Sequence, residues 1–282
     1  MQTPIAPMCL ALALATPALA EEPISQDAVE NAITEYVHAK YAGDAQGVQE
    51  RTHHAISRYM RTDRYFGQPS DEWLRRFHWD NLRFYGTEAN RTRHDNPDEG
   101  RLEIEVYDVA EWSAAAKVVM DDVVDLVHLV HFDGRWVVAD SAVRLIPEAG
   151  QVPEQDRSEE AAVRKVVENY CLGFYHVDGQ RVQDTCHTGL SKRRVEHAPE
   201  QLGGFDYMRS ITYEEIKILG DVYNRSGHID PATAPVEIEV YYVDDTMAEA
   251  KLVADGWFDY FQLFKVNGEW TIANIIFEPI EG

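Results

Sequence analysis

Two aspartates, Asp125 and Asp259, stand 134 positions apart, each near the start of an apolar run, "VVDLVHLVHF" and "WFDYFQLFKV". A carboxyl aimed into an apolar interior is costly unless it is hydrogen-bonded or neutral. Burial also raises its pKa, which suits it to general acid or base work near neutral pH. At the same interval come Tyr36 and Tyr170, candidate phenol partners, and His53 and His187, candidate imidazoles. Tyr, His and Asp around an apolar cavity would suit proton abstraction or dehydration of a small carbonyl or hydroxy compound. The alternative is a satisfied hydrogen-bond set that fixes helix against sheet, as buried polar groups usually do.

Other residues carry further options. From Arg58 to His94 there are eight Arg and five acidic residues, interleaved with Trp73, Phe77, Trp79, Phe84 and Tyr85. That pattern fits either a pocket mouth for an anionic or sugar-like ligand or an amphipathic surface with solvated arginines. Lys192, Arg193 and Arg194 invite the same two readings. The candidate ligand contacts are therefore Arg58, Lys192, Trp136, Trp270 and Phe261. Cys171 and Cys186 lie symmetrically about the turn signal Asp178-Gly179, so two antiparallel helices would bring them opposite each other. A disulfide there would contribute about 3 kcal/mol; the alternative is two buried thiols facing apart.

No metal or cofactor is expected. His128 and His131 would face opposite sides of a strand, and His53-His54 would diverge on a helix. No HExxH, paired-Cys, G-x-S-x-G or phosphate-cradling glycine pattern occurs. Asn90 and Asn224 open N-glycosylation sequons that read more simply as loop residues.

The elements that must position these groups come from a tandem duplication. "LEIEVYDVAEWSAAAKV" from Leu102 lies over "VEIEVYYVDDTMAEAKL" from Val236, and the same offset aligns "NRTRHDNP" with "NRSGHIDP" and "FDGRWVVA" with "VNGEWTIA". Each copy opens on a helical stripe, Val29, Ile33, Tyr36 and Lys40 or Val163, Val167, Tyr170 and Phe174. A second helix carrying His53 or His187 is expected next, then a third over "DEWLRRFHWDNLRFYG" or "DYMRSITYEEIKILG". Strands follow, with hairpin turns at Asp133-Gly134 and Asn267-Gly268. Helices before a strand meander indicate an α+β class. Running the second hairpin back without interruption pairs Leu263 with Ile272, Phe261 with Asn274 and Asp259 with Ile276. One face then holds Trp257, Asp259, Phe261, Leu263, Trp270, Ile272 and Ile276. Its twin holds Val123, Asp125, Val127, Leu129, Trp136, Val138 and Asp140.

The segments "DYFQLFKVNGEWTIANIIFEP", "EEAAVRKVVENY" and "CHTGLSKRRVE" resemble the putative lumazine-binding proteins of the nuclear transport factor 2-like (SnoaL-like) superfamily. The second copy matches along nearly its whole length; the first matches more loosely, with "HHAISRYMRT" in place of "LSKRRV". The resemblance implies cone-shaped α+β domains whose curved antiparallel sheet wraps helices around a pocket. It leaves activity open, because this fold hosts both enzymes and binding domains.

The remaining expectations are bulk ones. The uncharged stretch 1–20 ends in Ala18-Leu19-Ala20 and reads as a secretory signal peptide cleaved before Glu21. A first domain over 21–146, a linker over 147–160 and a second domain over 161–282 follow. A net charge of −23 would repel a phosphate backbone, so nucleic acid is an unsuitable partner. No other apolar segment reaches membrane-spanning length, so no membrane insertion is expected. The chain reads as a secreted or periplasmic small-molecule binding protein, monomeric through internal pairing of its two domains. The alternative is a cofactor-independent isomerase, dehydratase or hydrolase with a buried Asp as base.

Overall fold

The computed structural model describes residues 21–66, 68–82, 94–146 and 152–280. The first copy runs α1 (Gln26–Ala42), α2 (Ala45–Glu50), β1 (Thr52–Tyr65), β2 (Gln68–Phe77), β3 (Glu103–Val109), β4 (Ser113–Val119), β5 (Val123–Phe132) and β6 (Arg135–Leu145). The second runs α3 (Glu160–Tyr175), α4 (Gly179–Asp184), β7 (Cys186–His197), β8 (Asp206–Ile211), α5 (Tyr213–Val222), β9 (Glu237–Val243), β10 (Met247–Ala254), β11 (Trp257–Val266) and β12 (Glu269–Pro279).

Each copy builds one six-stranded sheet, ordered β2-β1-β6-β5-β4-β3 and β8-β7-β12-β11-β10-β9. Neighbouring strands are antiparallel except β1 with β6 and β7 with β12, which run parallel. A parallel pair needs a long crossover, and β2 to β5 (β8 to β11 in the second copy) supply it.

Local chemistry sets the helix ends. The Ser25 hydroxyl accepts from the Ala28 N–H to start α1, and Gly43, at φ 68°, ends it by donating to Ala39 and Lys40 carbonyls. Thr212 and Glu215 form a reciprocal capping box on α5. Both hairpin turns adopt the positive φ expected of them: 49° and 76° at Asp133-Gly134, 51° and 83° at Asn267-Gly268.

Three expectations are corrected here. The stretch 71–86 is not one helix: Asp71 to Phe77 belong to β2, because Leu74 and Trp73 pair with Arg61 and Thr62 of β1, and among its described residues helix covers 79–82. Its remainder, with Phe84, Tyr85 and the Asn90 sequon, lies outside the described residues, as does 1–20. In the second copy the same stretch splits into β8 and α5. Secondly, α2 and α4 are one turn and a half long, so His53 and His187 sit on strands β1 and β7 rather than on a helix.

The third correction concerns strand faces. The hairpin register holds from the turn to Leu263↔Ile272, then a bulge inserts Ala273, so Phe261 pairs Ile275 and Asp259 pairs Phe277. A bulge inserts Ala139 at the same place in β6, so His128 pairs Asp140. One inserted residue turns every later side chain to the other face. Ile275 and Phe277 therefore enter the second core, while Asp140 and Ile276, expected inside the cones, face the other copy.

Each cone has its own apolar core between helices and sheet. The opposite sheet faces pack on each other: Tyr59, Val124, Leu126 and Ala142 meet Tyr242, Met247, Phe264 and Ala273. A buried polar layer runs through this joint. Arg193 pairs with Asp140, His128 bonds both Asp140 and Glu249, and Gln262 donates to the Leu126 carbonyl.

Candidate functional site

Asp125 and Asp259 are both fully buried inside their cones, on β5 and β11, and each meets a cation 67 residues upstream in sequence. In the first cone, Arg58 Nη1 donates to Asp125 Oδ2 at 2.9 Å, to the Tyr36 hydroxyl at 3.2 Å and to Ser141 Oγ at 3.0 Å. Ser141 in turn donates to Asp125 Oδ1 at 2.5 Å. In the second cone, Lys192 Nζ donates to Asp259 Oδ1 at 2.5 Å and to the Tyr170 hydroxyl at 2.9 Å. Trp257 Nε1 closes Asp259 Oδ2 at 3.1 Å. The phenol, cation and carboxylate are thus twins, while the third donor comes from a different strand in each copy.

The two sets differ electrostatically. Burial drives the Tyr36 phenol up to about 12, though Arg58 opposes the rise. Burial likewise raises Tyr170 well above an ordinary phenol, and Asp259 adds to it. For the Lys192–Asp259 pair, burial lowers the ammonium and raises the carboxyl, and each partner's charge resists the other's shift. Both groups are thereby drawn toward the neutral pair. Arg58 stays charged, as a guanidinium does at any working pH.

Above Lys192 opens a cavity of about 180 Å³, lined by Phe174, Leu219, Tyr223, Trp257, Phe277 and Pro279, with Lys192 and Arg194 as its charged groups. Phe174 meets Tyr223 and Trp257 edge-on, with ring centres 5.6 and 6.0 Å apart. The Lys192 nitrogen lies 4.2 Å from the centre of the Phe277 ring. The first-copy twins of Leu219 and Tyr223 fall at 85 and 89, outside the described residues.

Several sequence candidates have other duties. His53 packs on Phe132, and its Nδ1 accepts from the Ala55 N–H at 3.1 Å. Burial, with the nearby His54, lowers its pKa to about 3. His187 accepts from Gly189 N–H at 3.0 Å. Neither histidine bonds an aspartate of the polar sets, because each stands five residues before the strand position that carries Arg58 or Lys192. Trp136 is buried, and its indole donates to the Pro23 carbonyl at 3.2 Å; Trp270 donates to Glu159 at 2.9 Å. Both tie an incoming chain segment to the sheet. Phe261 packs on the Tyr170 ring at 5.2 Å within the core.

Cys171 and Cys186 are free buried thiols, not a disulfide. Cys186 opens β7 instead of continuing a helix, and its sulfur donates to the Val182 carbonyl at 3.5 Å. Among the described residues no group of three or more His, Cys, Asp or Glu could hold a metal ion. No helix there is long and apolar enough to cross a membrane.

Sequence reasoning missed most of the cavity wall. Phe277 was hidden by the bulge, Leu219 lay on a helix whose facing was unassigned, and Tyr223 stood past the end of that stretch. Phe174 and Trp257 were visible as inward positions and lacked only a cavity to line.

Two helix-bearing six-stranded sheets in one chain, with the polar sets inside, define a tandem nuclear transport factor 2-like fold. The chain belongs to the family described as "Putative lumazine-binding", which matches it twice, over residues 25–142 and 158–278. A nuclear transport factor 2-like protein of unknown function from Shewanella baltica OS155 is similar at 17% identity. It covers 46% of this chain and 99% of its own, with a TM-score of 0.36. One from Methylobacillus flagellatus KT is 15% identical, covering 45% and 98%, at 0.33. One from Silicibacter pomeroyi DSS-3 is 15% identical, covering 44% and 99%, at 0.32. Comparison with curated proteins returns no match.

Proposed function

We propose that the second cone binds a small, flat, mostly apolar molecule whose single polar group reaches Lys192. The observation that carries this reading is the aromatic cavity with a buried amine on its floor. Ligand sites combine apolar walls with a few placed polar groups in this way. Its volume suits one ring, since an apolar cavity of about 150 Å³ takes benzene. The family description points the same way, toward a small-molecule binding fold.

The catalytic alternative, with Asp259 as general base, has less support. A base must present a lone pair to its substrate. One Asp259 oxygen is closed by Lys192 and the other by Trp257, and Lys192 rather than Asp259 lines the cavity. Asp125 is closed likewise by Arg58 and Ser141.

A thermal-shift screen of single-ring compounds against the full chain tests the reading. A ligand at 100 times its dissociation constant should add about 2.7 kcal/mol of stability. Leu219→Trp, which fills the cavity without touching the Lys192–Asp259 pair, should abolish the shift. An unchanged shift in that variant would place the ligand elsewhere.

We further propose that the chain works outside the cytoplasm, as a monomer, after loss of residues 1–20. The leader pattern supports export, and the sheet-on-sheet joint supports the monomer. Just beyond that point Glu22 donates its N–H to the Gly134 carbonyl, and its carboxylate takes Arg51 and the Trp136 N–H. Intact mass of the exported protein should begin at Glu21 and show no two-dalton gain on reduction. A retained leader removes the export proposal, and a two-dalton gain shows a disulfide.

A further inference from the structure

We propose that Lys192 captures small aldehydes or ketones covalently, as a reversible imine, within the second cone. This rests on the reading of that cone as a binding pocket and specifies its ligand class. Three observations carry it. Lys192 lines the cavity, its nitrogen is 4.2 Å from the ring centre of Phe277 in the same wall, and its side chain is only 4% exposed, so bulk water is largely kept from it. Its nitrogen touches two proton-handling groups, the Asp259 carboxylate at 2.5 Å and the Tyr170 hydroxyl at 2.9 Å. The twin position holds Arg58, which makes the same contacts to Tyr36 and Asp125. The cone therefore accepts a guanidinium as its structural cation. A lysine adds what a guanidinium lacks, a nitrogen able to lose its proton and attack.

The chemistry balances with the residues present. Lys192 passes a proton to the Asp259 carboxylate, a transfer that burial favours for both partners. The freed lone pair attacks the carbonyl carbon as the C=O π pair moves to oxygen. The oxygen, held one carbon away from the nitrogen that Asp259 contacts at 2.5 Å, takes the proton held by Asp259, giving a neutral carbinolamine once the nitrogen has returned one proton to that carboxylate. That same proton then goes to the hydroxyl, which leaves as water while the nitrogen lone pair forms the C=N bond. The product is an iminium beside the Asp259 carboxylate, the same charge pair as at the start. No oxidant or reductant is consumed, and hydrolysis runs the steps backward.

The test uses the full chain, benzaldehyde and sodium cyanoborohydride, which reduces an iminium to a stable benzylamine. Peptide mapping should find the benzyl group on Lys192, formed at least about tenfold faster than on the exposed Lys165, because a desolvated amine is the more readily deprotonated nucleophile. Lys192→Arg should fold, as its twin does, and lose that adduct. Labelling of Lys192 at or below the rate of Lys165 overturns the proposal. Benzyl alcohol separates the two readings. A thermal shift from both compounds with no Lys192 adduct leaves the pocket standing and removes the imine; no shift and no adduct removes both.

Discussion

Replacing Arg58 with methionine is expected to destabilise the chain by about 3–5 kcal/mol, the usual cost of stripping one partner from a buried ion pair. Asp125 has no exposure, and Arg58 bridges it to Tyr36 and Ser141, so one substitution removes its counter-charge and a donor to both hydroxyls, leaving it only the Ser141 bond. The double variant Arg58→Met with Asp125→Leu should recover most of the loss, because removing both charges also removes their desolvation cost. Lys192→Met should cost less than Arg58→Met. Burial already raises the Asp259 carboxyl, which can take up a proton when its partner is gone. Urea midpoints at neutral pH measure all three. A cost below about 1 kcal/mol for Arg58→Met, the range of exposed pairs, would mean that the pair does not hold the first cone together.

Stability should fall by about 3 kcal/mol between pH 6.5 and 9 through His128, whose imidazolium is held at about 9. Burial alone would lower it. The charge of Glu249, with hydrogen bonds to Asp140 at 3.4 Å and Glu249 at 2.7 Å, overturns that effect. The folded pKa lies above the unfolded 6.5, so the contribution is complete below pH 6.5 and lost as pH rises through 9. The groups facing this imidazole are Glu249 of β10, Asp140 of β6, Arg193 of β7 and Tyr260 of β11. Glu249 is itself raised by burial, which also disfavours high pH.

Lys40 works in the opposite sense. Burial lowers it to about 8, so its penalty is relieved between pH 8 and 10.5. The measurement is therefore the difference between wild type and His128→Gln, whose amide can still donate to Glu249. Parallel curves for the two proteins from pH 6.5 to 9 would show that His128 does not bind the cones through its charge.

The duplication, the α+β class and the hairpin turns were legible in the sequence because they rest on local rules: a constant offset of 134, helical stripes, and Asp-Gly or Asn-Gly where φ must be positive. The inward aim of Asp125 and Asp259 was legible for the same reason, since alternation along a strand is a property of the strand itself. What lay beyond Ala139 and Ala273 was not. A bulge is decided by the partner strand, here by the parallel contact of β6 with β1 and β12 with β7, whose registers also shift at that point. That contact turned Asp140 toward Arg193 and His128 and brought Phe277 over Lys192.

The polar sets show the same division. Their aspartates and tyrosines could be named from spacing, but Arg58 and Lys192 were named from charged clusters as ligand contacts, not as partners of those aspartates. Nothing local says that a cation at the middle of β1 or β7 will turn inward to meet a carboxylate 67 residues further along. The chain alone determined two like domains with acidic side chains in their interiors. Tertiary pairing decided which cation neutralises each one, and left an amine rather than a guanidinium at the floor of a cavity, because burial and partner geometry belong to the packed whole and to no segment of it.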